Sequence, residues 1–183
     1  MDRRSFLGVA GAGLLAAAAP EALAQQGLDP ENTLLLTLRT GIVTIRMRPD
    51  LAPNHVKRIK ELVRQKFYDG IVFHRVIAGF MAQTGDPTGT GMGGSGQKLK
   101  AEFSAAPHLR GTVSMARSQS PDSADSQFFI CFRDKPYLNG QYTVWGEVVG
   151  GMEHVDLIKK GDPNSGAVEN PDKIVSLRVK ADR

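Results

Sequence analysis

Eight short strand-like runs, strung between turns that contain glycine or proline, constrain this chain more than any other feature. They are Leu34–Arg39, Ile42–Arg48, Val72–Ile77, Phe80–Thr84, Thr112–Ala116, Gln127–Phe132, Tyr142–Val149 and Lys173–Val179. The first two flank Thr40-Gly41 and read as a hairpin, with the glycine supplying a positive φ. Only two stretches carry a helical stripe. Pro53 opens the first, where Val56, Ile59, Leu62 and Val63 recur at helical spacing and Lys57, Arg58, Lys60 and Glu61 face water. It ends at Phe67-Tyr68-Asp69-Gly70. The second, Met152–Lys160, is striped by Met152, Val155 and Ile158. Strands and helices do not alternate as in a parallel sheet, so an antiparallel sheet or closed barrel capped by helices is expected. Periodicity does not choose between sandwich and barrel.

At 183 residues, with 41% apolar and 23% charged side chains, the chain can bury a sizeable core without a metal or disulfide. The net charge of +4 is scattered, and no basic run is interleaved with aromatics. Nucleic-acid binding is therefore not expected. The first 24 residues have a different character. Arg3-Arg4-Ser5-Phe6-Leu7 precedes a small apolar run from Gly8 to Ala19, then Pro20 and Ala22-Leu23-Ala24. Twin arginines and a small-x-small ending read as a Tat-type export signal cut after Ala24. The run is too short for a spanning helix, so no stable membrane anchor is expected. The organisation is a signal over 1–24, a linker over 25–33 and one domain over 34–183, with a periplasmic destination. The single cysteine, Cys131, sits among Phe129, Ile130 and Phe132 and reads as a buried structural thiol.

One segment departs from ordinary strand chemistry. In Phe73-His74-Arg75-Val76-Ile77-Ala78-Gly79-Phe80-Met81-Ala82-Gln83 a permanently charged guanidinium and an amide lie in an apolar run. With a period of two, Phe73 and Arg75 share a face, and past the Ala78-Gly79 bend so do Met81 and Gln83. An arginine among apolar neighbours is costly unless it is hydrogen-bonded, and it cannot shed its charge. It is either paired structurally or aimed at a substrate.

The usual catalytic apparatus is absent from the pattern. Gly89-Thr90-Gly91-Met92-Gly93-Gly94 satisfies a dinucleotide fingerprint, but no helix follows it, and Leu99 stands where a phosphate loop needs Ser or Thr. It reads as a surface loop. His55, His74, His108 and His154 show no metal-ligand spacing and no acid placed to assist them. His55 falls at an exposed helix start, and His74 is expected to hydrogen-bond within the core. Ser126 is in no nucleophile elbow and reads as a turn or strand edge.

Taken in order, Phe73–Ile77, Gly79–Gln83, Gly85–Gly91, Ser114-Met115-Ala116-Arg117, Ser126-Gln127-Phe128-Phe129-Ile130 and Leu138-Asn139-Gly140 closely resemble the cyclophilin-type peptidyl-prolyl isomerases, over about Leu34 to Val179. The resemblance implies a mainly β fold, a closed eight-stranded antiparallel β-barrel capped by two α-helices. It implies an X-Pro isomerase that needs no cofactor and acts, as a monomer, on proline-containing peptides and folding proteins. Carried over, Arg75 resembles the catalytic arginine and Gln83 the glutamine that orients it. Phe80, Met81, Phe129 and Leu138 resemble the proline pocket, Ala116 and Arg117 the backbone that receives the peptide, and Gln127 a further polar contact. Tyr142, counted with the substrate-binding residues, stands where animal cyclophilins carry histidine, and Tyr137 where they carry tryptophan. Two other readings compete: a proline-peptide binding module or holding chaperone with little turnover, and a barrel in which the same aromatic residues are only core.

Overall fold

The computed structural model describes residues 27–183. The segment read as an export signal and its expected cleavage point lie outside the described residues. Eight strands form one antiparallel sheet: β1 (Thr33–Leu38), β2 (Gly41–Met47), β3 (Arg75–Ile77), β4 (Met81–Thr84), β5 (Thr112–Met115), β6 (Phe128–Cys131), β7 (Val144–Gly150) and β8 (Ser176–Val179). Their spatial order is β3-β4-β6-β5-β7-β2-β1-β8. The sheet curls so that its two end strands approach each other, and residues 70–76 are laced to 166–174 across the gap. Phe73 N donates to Asp172 O (2.9 Å), Gly70 N to Ile174 O (2.8 Å) and Val76 N to Gly166 O (2.8 Å). Val72–Lys173 and Arg75–Ala167 form isolated bridges there.

The core fills the interior of the curl. Leu34, Leu36 and Leu38 alternate inward along β1, as a period of two requires, and meet Val43 and Ile45 of β2 with Trp145 of β7. β5 and β6 are buried at every position. On β6, Phe128 and Ile130 enter the main core, while Phe129 and Cys131 join a second cluster with Met81 and Leu138 on the outer face. The unbroken apolar run of this strand therefore serves two apolar surfaces, and the outer one becomes the floor of a cleft.

Helix α1 (Pro53–Arg64) closes one end of the barrel and buries Val56, Ile59, Leu62 and Val63, as its stripe predicts. His55 corrects the expectation of an exposed helix start, since it is fully buried. The N-cap, Ala52, has no side chain able to accept a hydrogen bond. Glu102 takes that role from a distant loop: its carboxylate accepts from Asn54 N (3.1 Å), His55 N (3.0 Å) and Asn54 Nδ2 (2.9 Å), and lies 2.6 Å from His55 Nδ1. A carboxylate at free backbone N–H groups is the favourable arrangement at a helix N-terminus. His55 thus does have an acidic partner, 47 residues away.

Helix α2 is shorter than its stripe, Met152–Asp156 rather than Met152–Lys160. The Lys159 N–H donates to the Asp172 carboxylate (2.8 Å) and Gly161 N to Val76 O (2.9 Å), so neither continues the helical ladder. β3 is shorter too, and the face assignment before it changes. Phe73 and Val76 both point into the main core while Arg75 and Ile77 point outward, so Phe73 and Arg75 do not share a face. The lacing to 166–174 breaks strict alternation ahead of Arg75.

Candidate active site

The β3–β4 hairpin sets the geometry. Its turn has Gly79 at φ +68°, left-handed backbone that glycine adopts without strain, and its register places Arg75 opposite Gln83 and Ile77 opposite Met81. β6 then sets Phe129 opposite Gln83 and Cys131 opposite Met81. Arg75, Met81, Gln83 and Phe129 consequently lie on one outward face. Nine of the ten residues predicted from sequence line a single cleft there, with an empty volume of about 390 Å³: Arg75, Phe80, Met81, Gln83, Ala116, Arg117, Phe129, Leu138 and Tyr142. Gln127 lies one step away, in an adjoining cleft of about 1000 Å³ that shares Gln83, Ala116 and Arg117 as its wall.

The apolar part is well packed. Met81, Phe129 and Leu138 are buried, and Tyr142 meets the Phe129 ring edge-on at 5.8 Å. Phe80 packs beside Tyr137, with centroids 6.1 Å apart, and Tyr137 stays 59% exposed at the rim. Burial pushes the Cys131 thiol up to about 12, so it is a neutral floor group.

The polar part is a directed chain of donors. Arg75 Nη1 donates to Gln83 Oε1 (3.3 Å), Gln83 Nε2 to Gln127 Oε1 (2.9 Å), and Gln127 Nε2 to Gly91 O (2.9 Å) and Gly93 O (2.8 Å). The two carbonyls at its end fix which way each amide points, because a carbonyl only accepts and the nitrogen is the one donor of a side-chain amide. Arg75 Nε donates to Ser165 O (3.2 Å). Among the described residues no carboxylate pairs with Arg75, and the rest of its fork faces the cleft. Arg117 is spent differently. Its donors go to Gln141 O, Ser118 O and Gln119 O, and its guanidinium lies 4.7 Å from the Tyr142 ring centre. That side chain builds the partition between the clefts.

The glycine-rich segment is more than a surface loop. Its N–H groups cradle the fully buried carboxylate of Asp86, which accepts from Thr88 N (2.7 Å), Gly91 N (2.6 Å) and Gly93 N (3.1 Å). A Cβ on Gly93 would fall 2.2 Å from Asp86 Oδ1, so the glycine is required by close approach. Burial alone would raise this carboxyl, yet the bonds from Thr88, Gly93 and Gly91 hold it down at about 2. The fingerprint-like spacing thus builds an anion nest for the chain's own carboxylate.

Sequence reasoning missed His108. It is buried beneath the pocket, stacked on Phe129 at 6.2 Å, with Nδ1 3.2 Å from Asn139 Oδ1 and Nε2 3.1 Å from Ser114 Oγ. Burial lowers its pKa, against a smaller upward pull from Asn139. Asn139 Oδ1 can only accept, so Nδ1 carries the proton of the neutral ring, and the one hydrogen of the Ser114 hydroxyl faces both Nε2 and Thr143 O (2.9 Å). No local pattern marks this residue, because its partners are assembled by the sheet. His74 corrects another expectation: its buried ring nitrogens have no hydrogen-bond partner among the described residues, and burial lowers its pKa. Ser126 is fully buried and ties the sheet together, donating to Gly85 O (2.7 Å) and accepting from the Tyr68 hydroxyl (3.0 Å). Among the described residues no three His, Cys, Asp or Glu side chains gather as a metal site, and no helix is long and apolar enough to cross a membrane.

Comparison with known proteins adds to this geometry. The model of the family described as cyclophilin type peptidyl-prolyl cis-trans isomerase/CLD matches residues 33–179. A probable peptidyl-prolyl cis-trans isomerase of Brucella suis is 57% identical over 167 residues, covering 84% of this chain and 85% of its own length. Peptidyl-prolyl cis-trans isomerase B of Bacillus subtilis is 42% identical over 122 residues, covering 66% of this chain and 85% of its own. Among solved structures, a cyclophilin from Hirschia baltica superposes with a TM-score of 0.77 at 28% identity, covering 85% of this chain and 76% of its own. A Cryptosporidium parvum cyclophilin type peptidyl-prolyl cis-trans isomerase, solved in the presence of the dipeptide Ala-Pro, gives 0.74 at 28% identity, covering 80% of this chain and 98% of its own.

Proposed function

This chain belongs to the cyclophilin-type peptidyl-prolyl cis-trans isomerases, and from that premise we propose that it rotates X-Pro bonds in the Arg75 cleft by donating a hydrogen bond to the proline nitrogen. The observation that carries this reading is a guanidinium with no carboxylate partner among the described residues, held by Gln83 and Ser165 over an apolar pocket. The reaction breaks no bond. Its barrier is the roughly 18–20 kcal/mol of amide resonance, and unaided exchange takes tens to hundreds of seconds. As the bond twists, the proline nitrogen becomes pyramidal and regains a lone pair. A donor aimed at that lone pair stabilises the twisted state more than either planar one. A guanidinium is a permanent cation with its donors in a fixed planar fork, which suits it to this role.

Met81, Phe129 and Leu138 grip the proline ring and exclude water, and the backbone at Ala116–Arg117 receives the peptide so that its far side can turn. Lowering the barrier by about 7 kcal/mol gives about a 10⁵-fold acceleration. Arg75→Ala, with its fold checked by circular dichroism, is expected to lose about 10²- to 10³-fold in kcat/KM on a short X-Pro peptide. Full activity in that variant would refute the mechanism. A binding module would instead keep peptide affinity in Arg75→Ala and show no turnover in the wild type.

The twin arginines and Ala22-Leu23-Ala24 support a second part of the proposal, that residues 1–24 are an export leader and the periplasm the destination, while the linker expected over 25–33 ends before Thr33, the first residue of β1. Mass spectrometry of the cell-purified protein is expected to find Gln25 at its start. An intact Met1 in a cytoplasmic fraction would refute this.

A further inference from the structure

The Arg75 fork is anchored at two different nitrogens. Gln83 takes Nη1, and the Ser165 carbonyl takes Nε. With only the Gln83 bond, the planar guanidinium could pivot about that contact. The second anchor, at a different nitrogen of the same plane, removes the pivot and fixes where the free N–H groups point.

What fixes Ser165 is Asp162. Its Oδ1 accepts from Ser165 N (2.8 Å), Ser165 Oγ (3.0 Å) and Asn164 N (3.0 Å). Its backbone closes the same loop, accepting from Gly166 N (2.8 Å) and donating to Ala167 O (3.0 Å). The loop then clamps β3. Val76 N donates to Gly166 O, and Gly161 N to Val76 O. Gly166 has φ +79°, and a Cβ there would fall 2.7 Å from Ile77 Cγ1 and 2.9 Å from Arg75 Cγ. The loop therefore lies directly against the stem of the arginine, 90 residues away in sequence. Asp162 is exposed and does not line the cleft, so its contribution to the pocket is indirect.

We propose that Asp162 is a positioning residue for the isomerisation, orienting Arg75 through the Ser165 carbonyl; this rests on the reading of Arg75 as the donor. Asp162 does not touch the peptide. Its carboxylate sets the loop, the loop aims the carbonyl, and the carbonyl aims the fork. A small misdirection of a catalytic group is enough to lower the rate without weakening binding.

The test compares Asp162→Ala, Asp162→Asn and Arg75→Ala in the X-Pro exchange assay, with the Arg75 side-chain Nε–H resonance followed by NMR. Asp162→Ala is expected to lower kcat about tenfold with KM unchanged, and to shift or broaden the Arg75 Nε–H signal. Asp162→Asn, whose amide oxygen accepts the same three bonds, is expected to restore both. If Asp162→Ala does not fold, Asp162→Glu, which displaces the same carboxylate by one methylene, must move the same resonance and lower kcat. Wild-type kcat and an unmoved resonance in Asp162→Ala, beside an inactive Arg75→Ala, would overturn this proposal alone. Equal losses in Asp162→Ala and Asp162→Asn would overturn it as well. An active Arg75→Ala would remove the reading beneath it.

Discussion

Replacing Gln83 with glutamate changes one NH₂ group to an oxygen, and the donor chain makes the consequence calculable. Gln83 accepts from Arg75 and donates to Gln127 Oε1 at 2.9 Å. In Gln83→Glu the accepting end survives, but a carboxylate oxygen faces the Gln127 oxygen. Gln127 cannot flip to repair this, because its nitrogen already serves Gly91 O at 2.9 Å and Gly93 O at 2.8 Å. Either those two bonds break and the glycine-rich wall opens, or the introduced carboxylate swings onto Arg75 and draws the guanidinium out of the cleft. Each route costs about 1–3 kcal/mol, the range for a half-buried polar group left without its partner. Expressed in kcat/KM, that is about fivefold to 160-fold. The loss should exceed that of Gln83→Met, which removes the chain without adding charge beside Arg75. Exchange spectroscopy on an X-Pro tetrapeptide at pH 7 measures all three proteins. A Gln83→Glu enzyme at the wild-type rate would refute the directed-chain reasoning.

Acid should destabilise the protein in two stages. His74 and His108 have folded pKa values below the ordinary 6.5, so the unfolded chain takes up protons first. Their contribution is complete above about pH 6.5 and declines as pH falls below it. Asp86, held at about 2 against an ordinary 3.8, contributes above 3.8 and is lost as pH falls towards 2. Urea midpoints at pH 7, 5 and 3 should fall in that order, and a higher midpoint at pH 5 than at pH 7 would contradict the sign. Glu102→Ala strips the cap from α1 and leaves the buried His55 without its acid. It should lower unfolding stability by about 3 kcal/mol, read by chemical denaturation, with little effect on KM. Leu138→Ala, which opens a void in the cleft wall, should cost about 2–5 kcal/mol and raise KM for the proline peptide more than it lowers kcat.

The order of the elements was legible because it rests on local periodicity. The stripe of α1, the strand-like run of β1 and the hairpin around Thr40-Gly41 each depend on residues within a dozen positions of one another. The resemblance of ordered motifs then marked nine residues that the fold does bring into one cleft. Element ends were less legible. β3 is cut short by lacing to residues 166–174, and α2 stops because Asp172 takes a backbone N–H that a helix would have used.

What the sequence determined by itself was a mainly β chain carrying an arginine and a glutamine on either side of a glycine bend, with only the resemblance to link them. The register of β3 on β4 puts those two side chains together. The tertiary structure decided which groups hold them and what lies beneath. Glu102 caps a helix 47 residues away, Asn139 lies 31 residues from His108, and Ser165 reaches Arg75 across 90. Such pairings obey no period, since they arise only when a curled sheet brings distant loops onto one surface. The glycine-rich loop shows the same division. Its spacing matches a dinucleotide fingerprint with no helix behind it, and only the folded chain, by burying Asp86 against its N–H groups, makes the anion one of the protein's own.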